Sequence, residues 1–251
     1  MSDAPRILFL DIETKPALIY SFGIRDQHIT HKQIKQDGGT ICVGLKWAGE
    51  RKVRVFSEWE HGYDAMLQEV HSELCEAEAV ATYNGASFDI PKLMGNFLKA
   101  RMPPPPKLTQ IDIYRAVRKM GFICNKLDYI APLLGLGQKV KHEGLQMWID
   151  VMDGCPKARR KMATYCAGDV RLLEDVYNRV LPYLVDHPHM GRGECPSCGS
   201  GHAQLRGYHK TASFWTERLQ CQKCAKWRLG KRKKASAMIG VADGGPQRSA
   251  R

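Results

Sequence analysis

Asp11 and Glu13 stand two residues apart at the end of a short apolar run, Ile7-Leu8-Phe9-Leu10. Such a run reads as a central β-strand buried on both faces. Strand side chains alternate, so Phe9, Asp11 and Glu13 share one face and Leu8, Leu10 and Ile12 the other. Two like charges side by side at a strand's carboxyl end cost stability, and folding alone gives no reason for them. A divalent cation does, because hard cations take oxygen ligands and cancel the repulsion. Ordinary solvated acids at a strand end are the plain alternative.

Further ligands must then come from elsewhere in the chain. In Asn84-Gly85-Ala86-Ser87-Phe88-Asp89 the acid follows a strand over residues 79–83 and opens a helix. That is the carboxyl edge where Asp11 and Glu13 emerge, and open α/β sheets bind ligands there. Alone, Asp89 reads as a helix cap. Tyr165 and Asp169 are four apart in a long helix expected from Pro156 to about residue 184, which puts them on one face. Gly168 beside Asp169 leaves room for something to approach closely. Alone, Asp169 reads as a surface acid. Asp112 reads as a cap or a group behind the site, and His142, in the basic loop 139–144, as a solvated side chain.

The elements that must position these residues can be read in outline. Strands are expected at residues 40–47, 52–56 and 79–83, with helices at 63–78 and 88–100. A four-proline spacer at 103–106 precedes a short strand and helix at 110–120, then helices at 126–134 and 145–152. Strands first, then mixed elements, then helices, describe a mixed α/β domain ending near residue 188.

Composition bounds the function. The chain has 251 residues and a net charge of +12, and residues 191–251 hold 13 of the 38 Lys and Arg but 3 of the 26 Asp and Glu. A near-neutral body with a basic C-terminal module points to a polyanion, most simply nucleic acid. No apolar run reaches the length of a membrane span and the N-terminus lacks a signal-peptide pattern, so no membrane is expected and a cytoplasmic location is. Cys42, Cys75, Cys124, Cys155 and Cys166 are scattered, as in a reducing compartment.

Taken together, the first 190 residues resemble the DEDD 3′–5′ exonucleases of the ribonuclease H-like superfamily, in their Tyr-containing branch. Phe9-Leu10-Asp11-Ile12-Glu13-Thr14, Tyr83-Asn84-Gly85-Ala86-Ser87-Phe88-Asp89 and Tyr165-Cys166-Ala167-Gly168-Asp169 are similar to the three family motifs. The helix around Leu127-Asp128-Tyr129 is similar to the linking helix of the group nearest the exonuclease domain of family B DNA polymerases. The sister branch carries His where this chain has Thr164, which leaves Tyr165 as the aromatic candidate. The resemblance implies a ribonuclease H-like mixed sheet flanked by helices, and a nuclease using two Mg²⁺ or Mn²⁺. It assigns Asp11, Glu13, Asp89 and Asp169 to the ions, Tyr165 to orienting the attacking water, and Asn84 to the nucleic acid. The implied substrate is single-stranded DNA, or 3′ ends frayed from a duplex, in replication, repair or recombination, with a polymerase or replication protein as a possible partner. An RNA 3′–5′ exonuclease is the near alternative, a non-catalytic nucleic-acid-binding protein the distant one.

Cys195, Cys198, Cys221 and Cys224 give C-x2-C-x22-C-x2-C, two thiolate pairs able to close a tetrahedron around one structural Zn²⁺. A redox dithiol would need a thioredoxin-like surround, which is missing. A zinc ribbon is expected over residues 189–230, with strands at 203–208 and 213–219, and a basic, disordered tail over 231–251. Arg206, Lys210, Lys223, Lys226 and Arg228, interleaved with aromatics, and the run Lys231-Arg232-Lys233-Lys234 are candidates for holding a single strand.

Overall fold

The computed structural model describes residues 6–25, 27–184, 195, 200–211 and 213–235. The chain divides into two compact units, one carrying the described residues 6–184 and the other those of 195–235.

The larger unit is built on β1 (Ile7–Lys15), β2 (Leu18–Ile19), β3 (Ile34–Gln36), β4 (Gly39–Trp47) and β5 (Arg54–Ser57). α1 (Glu58–His61), α2 (Tyr63–Glu76), β6 (Ala79–Thr82), α3 (Asp89–Lys99), β7 (Thr109–Asp112) and α4 (Ile113–Val117) follow. α5 (Leu127–Leu133), α6 (Leu145–Met152) and α7 (Pro156–Val180) complete it. Five strands form one mixed sheet in the order β5-β4-β1-β6-β7, with β1 central, antiparallel to β4 and parallel to β6. β2 and β3 pair with each other apart from it.

The alternation of β1 sorts the layers. Leu8, Leu10 and Ile12 pack with Met66, Leu67, Val70 and Leu74 of α2 and Leu93 and Phe97 of α3. The opposite face meets α6 and α7, where Ile41 and Cys42 of β4 pack with Met147, Val151, Met162 and Cys166. Phe9 stands edge-on to Tyr177 of α7, ring centroids 5.0 Å apart. α7 ends at Val180, short of the expected residue 184, and the chain tightens into a single 3-10 turn, Leu181–Tyr183. Pro182 lacks the N–H that another α-helical turn would need.

The smaller unit is a three-stranded antiparallel sheet of β8 (Ala203–Lys210), β9 (Phe214–Cys221) and β10 (Trp227–Lys234), with β9 in the middle. Two of these strands were expected. The third absorbs the basic run, because Arg232, Lys233 and Lys234 pair with Thr216, Trp215 and Phe214. Strand pairing runs through Lys234, past the expected boundary at 230. The expected disorder of residues 236–251 and the boundary at 188–189 lie outside the described residues. Among the described residues no helix is long and apolar enough to cross a membrane.

Candidate active site

The acids of β1 are held against α7 by close packing at Gly44, the partner of Asp11 across the β1–β4 ladder. A Cβ at Gly44 would lie 2.7 Å from Val170 Cγ2 and 3.0 Å from Cys166 Sγ, so only glycine lets α7 lie this close. That contact lowers the turn Tyr165–Asp169 onto the face of Asp11 and Glu13.

α3 supplies the next acid. Asp89 is its first residue, one past Phe88 at the N-cap position. Its Oδ1 accepts the backbone N–H of Ile12 at 3.1 Å, tying the start of α3 to β1 between Asp11 and Glu13. Asp112 caps α4, and its Oδ1 accepts the N–H groups of Tyr114 and Asn84. The bond to Asn84, at 2.9 Å, holds that residue in its left-handed conformation, φ 67°, at the end of β6.

Acids from three elements thus meet at one end of the sheet. Glu13, Asp89 and Asp169 are 8%, 4% and 2% exposed. Burial pushes Asp11 well above the usual carboxylate range, and the charges of Asp89, Glu13 and Asp169 add to the rise. Burial and Asp169 raise Glu13 from 4.5 to about 8, and burial raises Asp89 from 3.8 to about 6. Burial raises Asp169 too, against the pull of Lys139, whose Nζ lies 2.7 Å from Oδ2. Asp169 Oδ1 is buried with no hydrogen-bond partner. Crowded, desolvated carboxylates with an orphaned oxygen are a donor set of the kind hard divalent cations take.

Tyr165 shares this face. Lys139 Nζ donates to its hydroxyl at 3.2 Å. Burial, with the charge of Asp169, holds the phenol above its ordinary range, so it keeps its proton.

Sequence reasoning missed Lys139 as a site residue. Burial alone would lower its pKa, but Asp169 raises it, so the ammonium stays charged beside that acid. The room left by Gly168 is filled by the neighbour of Lys139, for a Cβ there would lie 3.0 Å from Val140 Cγ2. His142, expected to be solvated, is exposed at the rim, yet its ring meets the edge of Tyr165 at 4.8 Å and Trp148 at 5.1 Å. A basic loop between helices was the only signal for either residue.

Cys166 Sγ lies within 4.8 Å of the Asp11 and Glu13 carboxylates. Its hydrogen bond with Cys42 and its burial hold the thiol well above its usual range, so it stays protonated and is a poor ligand for a hard cation.

In the smaller unit Cys195, Cys221 and Cys224 cluster, and Cys198 lies outside the described residues. Cys195 Sγ and Cys224 Sγ are 3.6 Å apart. Two thiolates on one tetrahedral Zn²⁺ stand about 3.8 Å apart, so the cluster fits that ion. Arg206 and Lys210 lie on β8, and Arg228 and the run 231–234 on β10, while Lys223 and Lys226 are exposed in the turn between β9 and β10. Lys210 stacks on Trp215 and Arg232 on Phe214, their charges 3.9 and 4.0 Å from the ring centroids.

A mixed sheet with acids from its central strand and two flanking helices at one edge is the architecture of a ribonuclease H-like domain. Residues 8–181 match the family model of the RNase_H superfamily, and the chain belongs to that family. Among solved structures, the family B DNA polymerase from the hyperthermophilic archaeon Pyrobaculum calidifontis is similar at 16% identity and a TM-score of 0.53. The match covers 71% of this chain and 25% of the polymerase, so the chain spans about a quarter of that protein's length. RNase D of Trypanosoma brucei matches at 17% identity and a TM-score of 0.45, over 74% of this chain and 59% of its own. No curated protein matches the sequence.

Proposed function

We propose that the larger unit is a metal-dependent 3′–5′ exonuclease of the Tyr-containing DEDD branch, acting on single-stranded or frayed DNA 3′ ends. The observation that carries this reading is the meeting of Asp11, Glu13, Asp89 and Asp169, far apart in sequence, beside the hydroxyl of Tyr165. Likeness to part of a family B DNA polymerase favours DNA over RNA as substrate.

The four carboxylates would hold two Mg²⁺ or Mn²⁺. When bound, the ions supply a water that is nucleophilic near neutral pH and shelter for charge on the leaving oxygen. The chain's own groups do the rest. Tyr165, with its proton held, orients the attacking water through its hydroxyl. Lys139 places a fixed positive charge next to Asp169 and Tyr165, where substrate phosphate would bring negative charge. Asn84, whose backbone is fixed by Asp112, is assigned to contact the strand. The smaller unit is read as a zinc ribbon with Cys198 as fourth ligand, and its cations, with Lys223 and Lys226, as an accessory strand-binding surface.

The test is 5′-labelled DNA and RNA strands incubated with Mg²⁺, Mn²⁺ or EDTA, with products resolved by length. Stepwise shortening of DNA from the 3′ end, with metal only, is expected. Asp11→Ala and Asp169→Ala should abolish it while the fold survives. Faster shortening of RNA would move the substrate to RNA, and full activity in either variant or in EDTA would overturn the assignment.

A further inference from the structure

Between β1 and β4 the chain leaves the sheet as a two-stranded arm. Leu18 pairs with Gln36 and Ile19 with Ile34, and the Tyr20 N–H donates to Gln33 O at 2.8 Å. The Gln33 side chain closes the turn by accepting from the Thr30 N–H at 2.9 Å and donating to Tyr20 O at 3.1 Å. Apart from the Asp37–Lys99 ion pair at its base, the arm is held by its own hydrogen bonds, and residues 17–25 and 27–37 include no buried side chain. Its apolar groups therefore face solvent: Tyr20 is 65%, Ile24 98% and Phe22 109% exposed. A two-stranded hairpin is marginal alone, and apolar side chains crowded on one outward arm mark a surface that something covers.

Two observations select the occupant. Arg25, Lys32 and Lys35 follow the aromatics along the arm, and the Lys35 ammonium, on the paired strand, already sits 5.9 Å from the Tyr20 ring. The arm also prolongs the β1–β4 hairpin at the end from which Glu13 emerges. Leu18 follows Glu13 by five residues, so the base of the arm lies within about 17 Å of that acid. The aliphatic groups alone would suit a protein partner, but the cations and this origin select a polyanion leading into the acids.

We propose that this arm grips the single strand behind the 3′ end, with Tyr20 and Phe22 stacking on bases and Lys32 and Lys35 neutralising phosphates. The contact is indifferent to sequence, since every base has a face to stack. The proposal rests on the nuclease reading of the acids and adds the surface that feeds them.

The test is equilibrium binding of 5′-fluorescein (dT)12 to the full chain by anisotropy in EDTA, across a salt series. Tyr20→Ala/Phe22→Ala should weaken binding at least tenfold with the salt slope kept. Lys32→Ala/Lys35→Ala should flatten the slope by about 1.4, two phosphate contacts on a single strand. Both variants replace exposed side chains, so melting temperatures within about 2 °C of wild type verify the fold. Wild-type affinity and slope in both variants would overturn the arm alone. A wild-type dimer that becomes monomeric in the variants, with affinity unchanged, would reassign the arm to self-association. Absence of any oligonucleotide binding by wild type would sink the arm and the nuclease reading together.

Discussion

Replacing Glu13 by Gln should stabilise the metal-free protein while removing its function. Burial and Asp169 raise the Glu13 carboxyl from 4.5 to about 8. A folded-state pKa above the unfolded value means the stabilising contribution is full below about 4.5 and is lost as pH rises through about 8. At pH 7 the fold forgoes ionisation that the unfolded chain gains, a cost of about 3 kcal/mol at 1.36 kcal/mol per pH unit. Glutamine has the same shape and no charge to lose. After allowing about 1 kcal/mol for an imperfectly bonded buried amide, the net gain is about 2 kcal/mol. For a unit of this size that raises the melting temperature by about 4–8 °C. The assay is thermal unfolding in EDTA at pH 5, 7 and 8.5, with and without Mn²⁺. The advantage of Glu13→Gln should be near zero at pH 5 and grow with pH. With Mn²⁺ the order should invert, because wild type gains the binding free energy that the variant has lost. A variant no more stable than wild type in EDTA at pH 8.5 would refute the picture of crowded, desolvated acids.

Other perturbations probe the supports of the site. Lys139→Met strips Asp169 of its 2.7 Å partner and should cost the metal-free protein about 1–3 kcal/mol, discounted because Lys139 is partly exposed. Saturating Mn²⁺ should narrow that gap in urea unfolding, and an unchanged gap would show that the ion and Lys139 do not share Asp169. Gly44→Ala pushes a methyl to 2.7 Å from Val170 Cγ2 and should cost about 1–3 kcal/mol as α7 moves off β4. An unchanged melting temperature in that variant would contradict the close seating of α7. Stripping zinc with a strong chelator should release one equivalent of metal and erase the amide dispersion of residues 200–235 in NMR spectra, since a module this small lacks a sufficient core. Retained dispersion would show the ribbon standing without metal.

Short-range rules placed some of the site's residues side by side, but joining Asp89 and Asp169 to the acids of β1 took the resemblance of three motifs to a known family. Two-residue alternation put Asp11 and Glu13 on one face of β1, and four-residue spacing put Tyr165 over Asp169. Gly168 announced a close approach, but the approaching group, Val140 with Lys139, comes from a loop 28 residues earlier by sequence, which no local pattern foretells. β10 escaped notice because its second half is Lys231-Arg232-Lys233-Lys234, with no alternation to betray a strand. Its order comes from pairing with β9 across the cysteine turn. The β2–β3 arm gives no strand signal for the opposite reason, since its apolar residues bury nothing. The stop of α7 at Val180 was written in Pro182. Helical periodicity alone overran it.

Mn²⁺ uptake by the chelator-stripped chain, followed by the EPR signal of the free ion, tests the meeting of the four acids most directly. Wild type should take up Mn²⁺ at pH 8, and Asp11→Asn and Asp169→Asn should each weaken that uptake at least tenfold. Uptake in both variants indistinguishable from wild type would mean that these carboxylates do not form one cation site.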